Sequence, residues 1–179
     1  MNCIARVSFL AAAIAALLIT AAVAGPDVAQ NPVLQKARTL AQEQNFTAAI
    51  DVVTTGLAAG TVPDAFPANM FLGTAYYKTG NYEKALAAFQ RTIALNSGSR
   101  MAYWFIGHIY ESQALAASSG AEKKIAQRKA LDAWQSFLAT PADNGSLPVS
   151  HHDLGISVES SNEQARKHVD VLERELSHE

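Results

Sequence analysis

The sequence predicts an all-α protein of about three helical hairpins, stacked as a short solenoid and followed by a C-terminal capping helix. Three observations support this fold class. One segment, residues 72–97, carries the residue pattern of a packed helical hairpin. Partial copies of that segment precede and follow it in the chain. A final segment, residues 161–176, carries an apolar stripe at helical spacing.

The central hairpin segment reads LGTAYYKTGNYEKALAAFQRTIALNS and resembles the tetratricopeptide repeat. Gly73 lets a second helix approach closely, and Ala85 is small because it lies at the helix crossing. The resemblance extends over residues 32–141 and implies a fold of stacked hairpins. The positions that carry it are Leu72, Gly73, Tyr76, Ala85 and Phe89.

Two further copies of the hairpin are predicted, and three copies are the number that usually makes such a stack stable. The third copy follows at an offset of 34 residues, with matching positions Ala102, Ile106, Gly107 and Tyr110. A weaker first copy precedes at an offset of 36, with matching positions Ala37, Leu40, Phe46, Ala49 and Val53. A terminal copy is often atypical because one of its faces meets solvent.

The third copy contains an insertion. Its second helix matches at an offset of 45 residues rather than 34, through Ala130, Trp134 and Phe137. Eleven added residues are about three helical turns, so we expect both helices of this hairpin to lengthen and project beyond the stack. Leu115 and Ile125 should pack across the extension, and Ser119 with Glu122 predicts a capping box. The alternative is a disordered eleven-residue loop.

Polar residues predict where the helices begin. Asn45, Asn81 and Ser99 stand at N-cap positions. The segment 140–160 contains prolines, glycines and serines, which predicts a long loop. The predicted helices are Pro32–Gln44, Phe46–Ala58, Ala68–Thr79, Tyr82–Leu95, Ser99–Ala117, Ala121–Ala139 and Ser161–Leu176.

The last helix is predicted to cover the open flank of the third hairpin. Ser160 and Glu163 suggest a second capping box at its start. Its apolar stripe should face the stack, which makes the helix a solvating cap. The stripe consists of Ala165, Val169, Leu172 and Leu176.

The first 24 residues predict a signal peptide. An apolar stretch, Val7–Ala22, leads to the small-residue site Ala22-Val23-Ala24, so we expect cleavage after Ala24 and a single mature domain of residues 25–179. An uncleaved membrane anchor is the alternative. The only cysteine, Cys3, would be lost on cleavage. Export without disulfides suggests a bacterial periplasmic or secreted protein.

Charge and motif content exclude several function classes. The net charge of −2 argues against a general nucleic-acid or anionic-membrane binder. No nucleophile elbow, zinc-protease motif or phosphate loop is present, so the sequence predicts no catalysis, no cofactor and no metal. His151-His152-Asp153 fits a solvated loop, His108 stands alone on its helix, and His168 lies in the charged last helix.

The resemblance also implies a binding site. In tetratricopeptide proteins, the first helix of each hairpin lines a concave groove that commonly holds a partner peptide or helix. In some members, lysine and asparagine in this groove bind the terminal carboxylate of the partner peptide. Other residues stand at those positions here, so we expect a more apolar and aromatic groove. Alternatively, Tyr77 and Trp104 pack internally. The groove positions are Arg38, Met70, Thr74, Tyr77, Lys78, Trp104, His108 and Glu111.

These observations predict a non-enzymatic protein–protein interaction module of the bacterial cell envelope, which binds a peptide or helix of another protein. One alternative is a permanent structural subunit of an envelope or secretion complex, or a homodimer. A second alternative is a small-ligand carrier or enzyme built around His108 and the 140–160 loop.

Overall fold

A computed structural model of the protein describes residues 31–141 and 158–177, with side chains in the second range from residue 161. Within these ranges the chain forms seven α-helices and no strand, and the predicted signal peptide, residues 142–157 and the His151-His152-Asp153 run lie outside them. The helices are α1 Pro32–Gln42, α2 Phe46–Ala58, α3 Ala65–Lys78, α4 Tyr82–Leu95, α5 Arg100–Ala116, α6 Gly120–Ala139 and α7 Val158–Ser177.

Asparagine caps begin the second helix of the first two hairpins, as predicted. The side chain of Asn45 accepts a hydrogen bond from the backbone N–H of Ala48 at 3.3 Å, and Asn81 does the same for Lys84 at 3.3 Å. Each cap satisfies one of the free N–H groups of a first helical turn. Helix α3 begins three residues earlier than predicted, because Asp64 caps it through the N–H of Phe66.

The insertion in the third hairpin is helical. Helices α5 and α6 contain 17 and 20 residues, against 14 in each of α3 and α4, which confirms that both helices lengthen. Ser119 caps α6 by accepting from the N–H of Glu122 at 3.2 Å. The Glu122 carboxylate in turn accepts from the N–H of Ser118, so the predicted capping box forms with the return bond one residue earlier.

Two details of the extension and the last helix were predicted wrongly. Leu115 and Ile125 do not pack across the extension: they are 87% and 56% exposed. Within residues 31–141 and 158–177, no further hairpin follows to cover the tip. Ser160 is not an N-cap, because α7 already begins at Val158. Glu163 instead pairs with Lys167 one turn later on the exposed face, at 2.7 Å.

A glycine-to-ring contact holds each of the two later hairpins together. A Cβ at Gly73 would lie 2.5 Å from the ring of Phe89, and a Cβ at Gly107 would lie 2.6 Å from the indole of Trp134. The missing side chain therefore lets the second helix approach to ring-contact distance. Trp134 is fully buried.

The first hairpin uses smaller residues at the same positions. Ala37 and Val53 replace the glycine and the aromatic ring, and both are fully buried in the cluster between α1, α2, α3 and α4. A second cluster fills the space between α3, α4, α5, α6 and α7. The ring of Phe105 stacks on Phe89 with centroids 5.0 Å apart and so joins the second hairpin to the third.

Helix α7 packs chiefly against α6, and its predicted apolar stripe faces the stack. Ala165 and Leu172 are buried, and Val169 packs partly against the same cluster. Polar contacts add to this packing, since Arg100 donates to Asn162 and Gln127 donates to Glu175. The last helix therefore covers the flank of the third hairpin.

Candidate functional site

Two of the predicted groove positions are core residues. Met70 is 1% exposed and Trp104 is 5% exposed, so the prediction that they line an open groove is wrong. The ring of Trp104 meets Trp134 edge-on at 5.0 Å and lies 5.2 Å from Phe137, both on α6. Both rings belong to the second helix of the same hairpin, and they pack against the indole of Trp104.

The groove positions on α1 and on the C-terminal half of α3 remain accessible in varying degree. Lys78 is exposed, whereas Arg38 and Thr74 are half-buried. The hydroxyl of Thr74 donates to the carbonyl of Met70 at 3.0 Å, so part of its polar capacity is used within the helix. Two of these accessible positions are cationic and one carries a hydroxyl, so they are more polar than the apolar and aromatic groove that was expected.

Tyr77 packs internally, as one of the two alternatives expected. Its ring lies 5.1 Å from Phe105 and 5.8 Å from Tyr82, and the residue is half-buried against the core. Burial raises the pKa of its hydroxyl, and the neighbouring Tyr82 adds to this. Tyr77 thus packs internally on one face and keeps some accessible surface on the other.

The two third-hairpin groove positions, His108 and Glu111, form a polar cluster with His168 of α7. The Nδ1 atom of His168 lies 2.6 Å from Oε1 of Glu111, and Nδ1 of His108 lies 3.7 Å from Oε2 of the same carboxylate. The two imidazole rings meet edge-on at 5.4 Å. The side chains are between 22% and 33% exposed, so the cluster is accessible from solvent.

The indole of Trp134 forms the floor of this cluster. Its Nε1–H donates to Oε1 of Glu111 at 3.1 Å. The ring of His168 stacks on the indole at 4.5 Å with an interplanar angle of 11°, and His108 meets it edge-on at 4.8 Å. One buried side chain therefore contacts the carboxylate and both imidazole rings.

The electrostatics of the cluster favour a neutral His108. Burial lowers the pKa of this imidazole because the charged form loses its hydration. Glu111 opposes that effect, and the positive charge that His168 can carry reinforces it. His108 therefore keeps a free nitrogen lone pair at neutral pH.

Comparison with known families gave a match over the first two hairpins. Residues 34–100 match the family model of the tetratricopeptide repeat. The chain folds as a tetratricopeptide-like solenoid. Comparisons with curated proteins and with solved structures gave no match.

The matched part ends at Arg100, where α5 begins, yet the third hairpin keeps the packing of a tetratricopeptide repeat through Gly107 and Trp134. Tetratricopeptide repeats generally mediate protein–protein interactions and are not generally catalytic. None of the helices within residues 31–141 and 158–177 is long and apolar enough to cross a membrane.

The part of His168 in the cluster was not predicted. His168 is 57 residues from Glu111 in the chain, and it was placed only in the charged last helix. A signal was present: His168 follows Ala165 by three residues and precedes Leu172 by four, so it shares their helical face. A histidine on the face of α7 that packs against the stack is therefore expected to contact α5 or α6.

Two other surfaces of the tetratricopeptide-like stack are open to a partner. The tip of the α5–α6 hairpin presents the exposed side chains of Leu115 and Ile125. A cavity of about 610 Å³ lies between α1 and α2, with Val33, Val52 and Gly56 among its lining residues. Neither surface was among the predicted groove positions.

Proposed function

We propose that the protein is a non-enzymatic interaction module of the bacterial cell envelope, which holds a peptide or helix of another protein on the groove side of α1 and α3. The observation that carries this proposal is the tetratricopeptide match over the first two hairpins, whose groove positions Arg38, Thr74, Tyr77 and Lys78 keep accessible surface. The repeats are rigid, so little ordering entropy opposes binding.

The chemistry of the accessible positions favours a partner segment that carries acidic side chains. Arg38 and Lys78 are cations, while the apolar positions Met70 and Trp104 are buried in the core. An accessible arginine can bind a carboxylate with two parallel hydrogen bonds, and lysine adds a point charge. Tyr77 supplies a partly accessible aromatic ring between the polar positions.

The location in the envelope rests on the N-terminal sequence. Val7–Ala22 followed by Ala22-Val23-Ala24 fits export and cleavage after Ala24, which would deliver residues 25–179 to the periplasm or exterior. N-terminal sequencing of protein isolated from the envelope fraction tests this. A mature terminus at Gly25 agrees with export, and recovery of Met1 in the cytoplasmic fraction contradicts it.

A crosslinking pull-down from the native envelope tests the interaction itself. The bait is the mature protein, compared with the double variant Arg38→Gln/Lys78→Gln, which should lose most of the captured partner. The matched control is Arg91→Gln/Lys123→Gln, which removes the same charge from exposed positions on α4 and α6. Equal capture by both double variants would contradict the assignment of the groove.

A permanent structural subunit or homodimer is the second candidate, because Leu115 and Ile125 are large apolar side chains exposed at the hairpin tip. Exposed apolar groups of this kind often mark an interface. The distinguishing measurement is the molar mass in solution from micromolar to nanomolar concentration, with Leu115→Gln/Ile125→Gln as the variant. A mass above the monomer that this variant reduces would favour the subunit reading.

A further inference from the structure

We propose that His108, Glu111 and His168 bind a divalent transition-metal ion of the Zn²⁺ class, which fastens α7 to α5. The proposal is independent of the peptide groove on α1 and α3. One potential ligand atom of each of the three residues lies within 4.8 Å of the other two. Two imidazoles and one carboxylate are a donor set typical of zinc and related ions, whereas Mg²⁺ and Ca²⁺ prefer oxygen ligands alone.

The spacing of the donor atoms is near that required. For bonds of about 2.0–2.1 Å in tetrahedral geometry, neighbouring ligand atoms stand roughly 3.3 Å apart. The distance from Nδ1 of His108 to Oε2 of Glu111 is 3.7 Å, and that from Nδ1 of His168 to Oε1 is 2.6 Å. Each distance departs from this value by less than an ångström. Because the two distances involve different oxygens of the Glu111 carboxylate, ion binding requires a rotation of that side chain. The ion would replace the hydrogen bond between His168 and Glu111.

Neighbouring side chains hold the three proposed ligands in place, as the residues around the ligands do in known metal sites. A bound carboxylate is usually held by a further hydrogen bond, and here Nε1–H of Trp134 donates to Glu111 at 3.1 Å. The stacked indole fixes the ring plane of His168. Trp134 is itself fully buried, so this support is rigid.

Charge and access are also suitable. Two neutral imidazoles and one carboxylate place a single negative charge against a divalent cation. The three side chains are partly exposed, so an ion can enter from solvent and a water molecule can complete a four-coordinate site. Because His108 and Glu111 lie on α5 and His168 lies on α7, the bound ion would link the cap helix to the stack.

Titration of the untagged full-length mature protein with Zn²⁺ tests the proposal. Metal is first removed with EDTA, and binding is then measured by calorimetry and by the visible absorption of Co²⁺ as a coordination probe. We expect one ion per chain with a Kd in the micromolar range or below, an absorption of tetrahedral or five-coordinate cobalt, and a rise in Tm. Weaker binding than about 100 µM, or a purely octahedral aqua-like cobalt spectrum, would overturn the proposal.

Three variants place the ion. His108→Gln, Glu111→Gln and His168→Gln keep side-chain size and polarity, and each should raise the Kd at least tenfold while circular dichroism shows a folded helical protein. The control His151→Gln/His152→Gln removes the adjacent histidines of the 140–160 segment and should leave the Kd unchanged. Loss of binding in this control with normal binding in the three site variants would assign the ion to that segment instead.

Discussion

The indole of Trp134 occupies the space that a side chain on Gly107 would need: a Cβ at position 107 would lie 2.6 Å from the Cε2 atom of the indole. Gly73 and Phe89 stand in the same relation in the hairpin before, at 2.5 Å. The third hairpin thus packs by the same rule as the second, although the family match ends at residue 100. Stability of the whole stack should depend on these two contacts.

Trp134→Ala should be strongly destabilising. The indole is fully buried against Trp104, Phe137 and His168, so its removal leaves a large cavity. Truncation of a buried tryptophan costs about 3–5 kcal/mol of unfolding free energy. Urea denaturation monitored by circular dichroism measures this. Leu115→Ala is the control, because a substitution at an exposed position should change the unfolding free energy by no more than about 0.5 kcal/mol. A midpoint for Trp134→Ala close to the wild type would refute the packing described for the third hairpin.

Gly73→Ala should destabilise the protein although alanine normally favours a helix. The added Cβ would stand 2.5 Å from the ring of Phe89, which is buried and cannot move aside freely, so overpacking of about 1–3 kcal/mol is expected. Gly120→Ala provides the matched control, since no atom lies within 4 Å of the corresponding position at the start of α6. The two variants should therefore shift Tm in clearly different amounts, and equal shifts would mean that helix propensity alone governs both positions.

Local signals predicted the hairpins well, and contacts between distant segments were harder to foresee. The caps Asn45 and Asn81, the glycine at position 73 and the helical insertion follow from residues close in the chain. Burial of Trp104 depends on which rings α6 brings beside it, and local spacing does not specify that. The same holds for His168, whose partner Glu111 belongs to a different helix.

The metal-free protein should lose stability on acidification below about pH 6.5, the ordinary pKa of histidine. Burial lowers the pKa of His108 in the folded state, so between the two pKa values the unfolded chain binds more protons than the folded one. Stability therefore rises with pH in that range: the contribution is complete above the unfolded pKa and is lost as pH falls through the folded pKa.

His108→Gln tests this, because the variant lacks the imidazole whose pKa burial lowers. Urea unfolding in EDTA between pH 5 and 8 should give a shallower dependence of unfolding free energy on pH for His108→Gln than for the wild type. Parallel curves for the two proteins would show that His108 titrates alike in the folded and unfolded states.

Replacement of Lys78 should weaken partner binding, whereas replacement of Trp104 should lower the stability of the fold. Trp104 is 5% exposed and touches Trp134 and Phe137, so Trp104→Ala should lower the unfolding free energy by about 3–5 kcal/mol. Lys78 is exposed on α3, and Lys78→Gln should leave stability within about 0.5 kcal/mol of wild type while weakening the complex. Because exposed charges are screened within about 8 Å at physiological ionic strength, the wild-type affinity should fall as salt is raised and that of Lys78→Gln should fall less.

Titration of the captured partner segment against wild type, Lys78→Gln and the control Lys123→Gln at low and high salt separates these effects. The control removes the same charge from an exposed position on α6, away from the groove, and should bind as the wild type does. Salt-independent binding that Lys78→Gln leaves intact would exclude the α1–α3 groove. Since Leu115 and Ile125 are the large apolar side chains exposed at the hairpin tip, and the α1–α2 cavity is lined by Val33 and Val52, those two surfaces would then be the ones to vary.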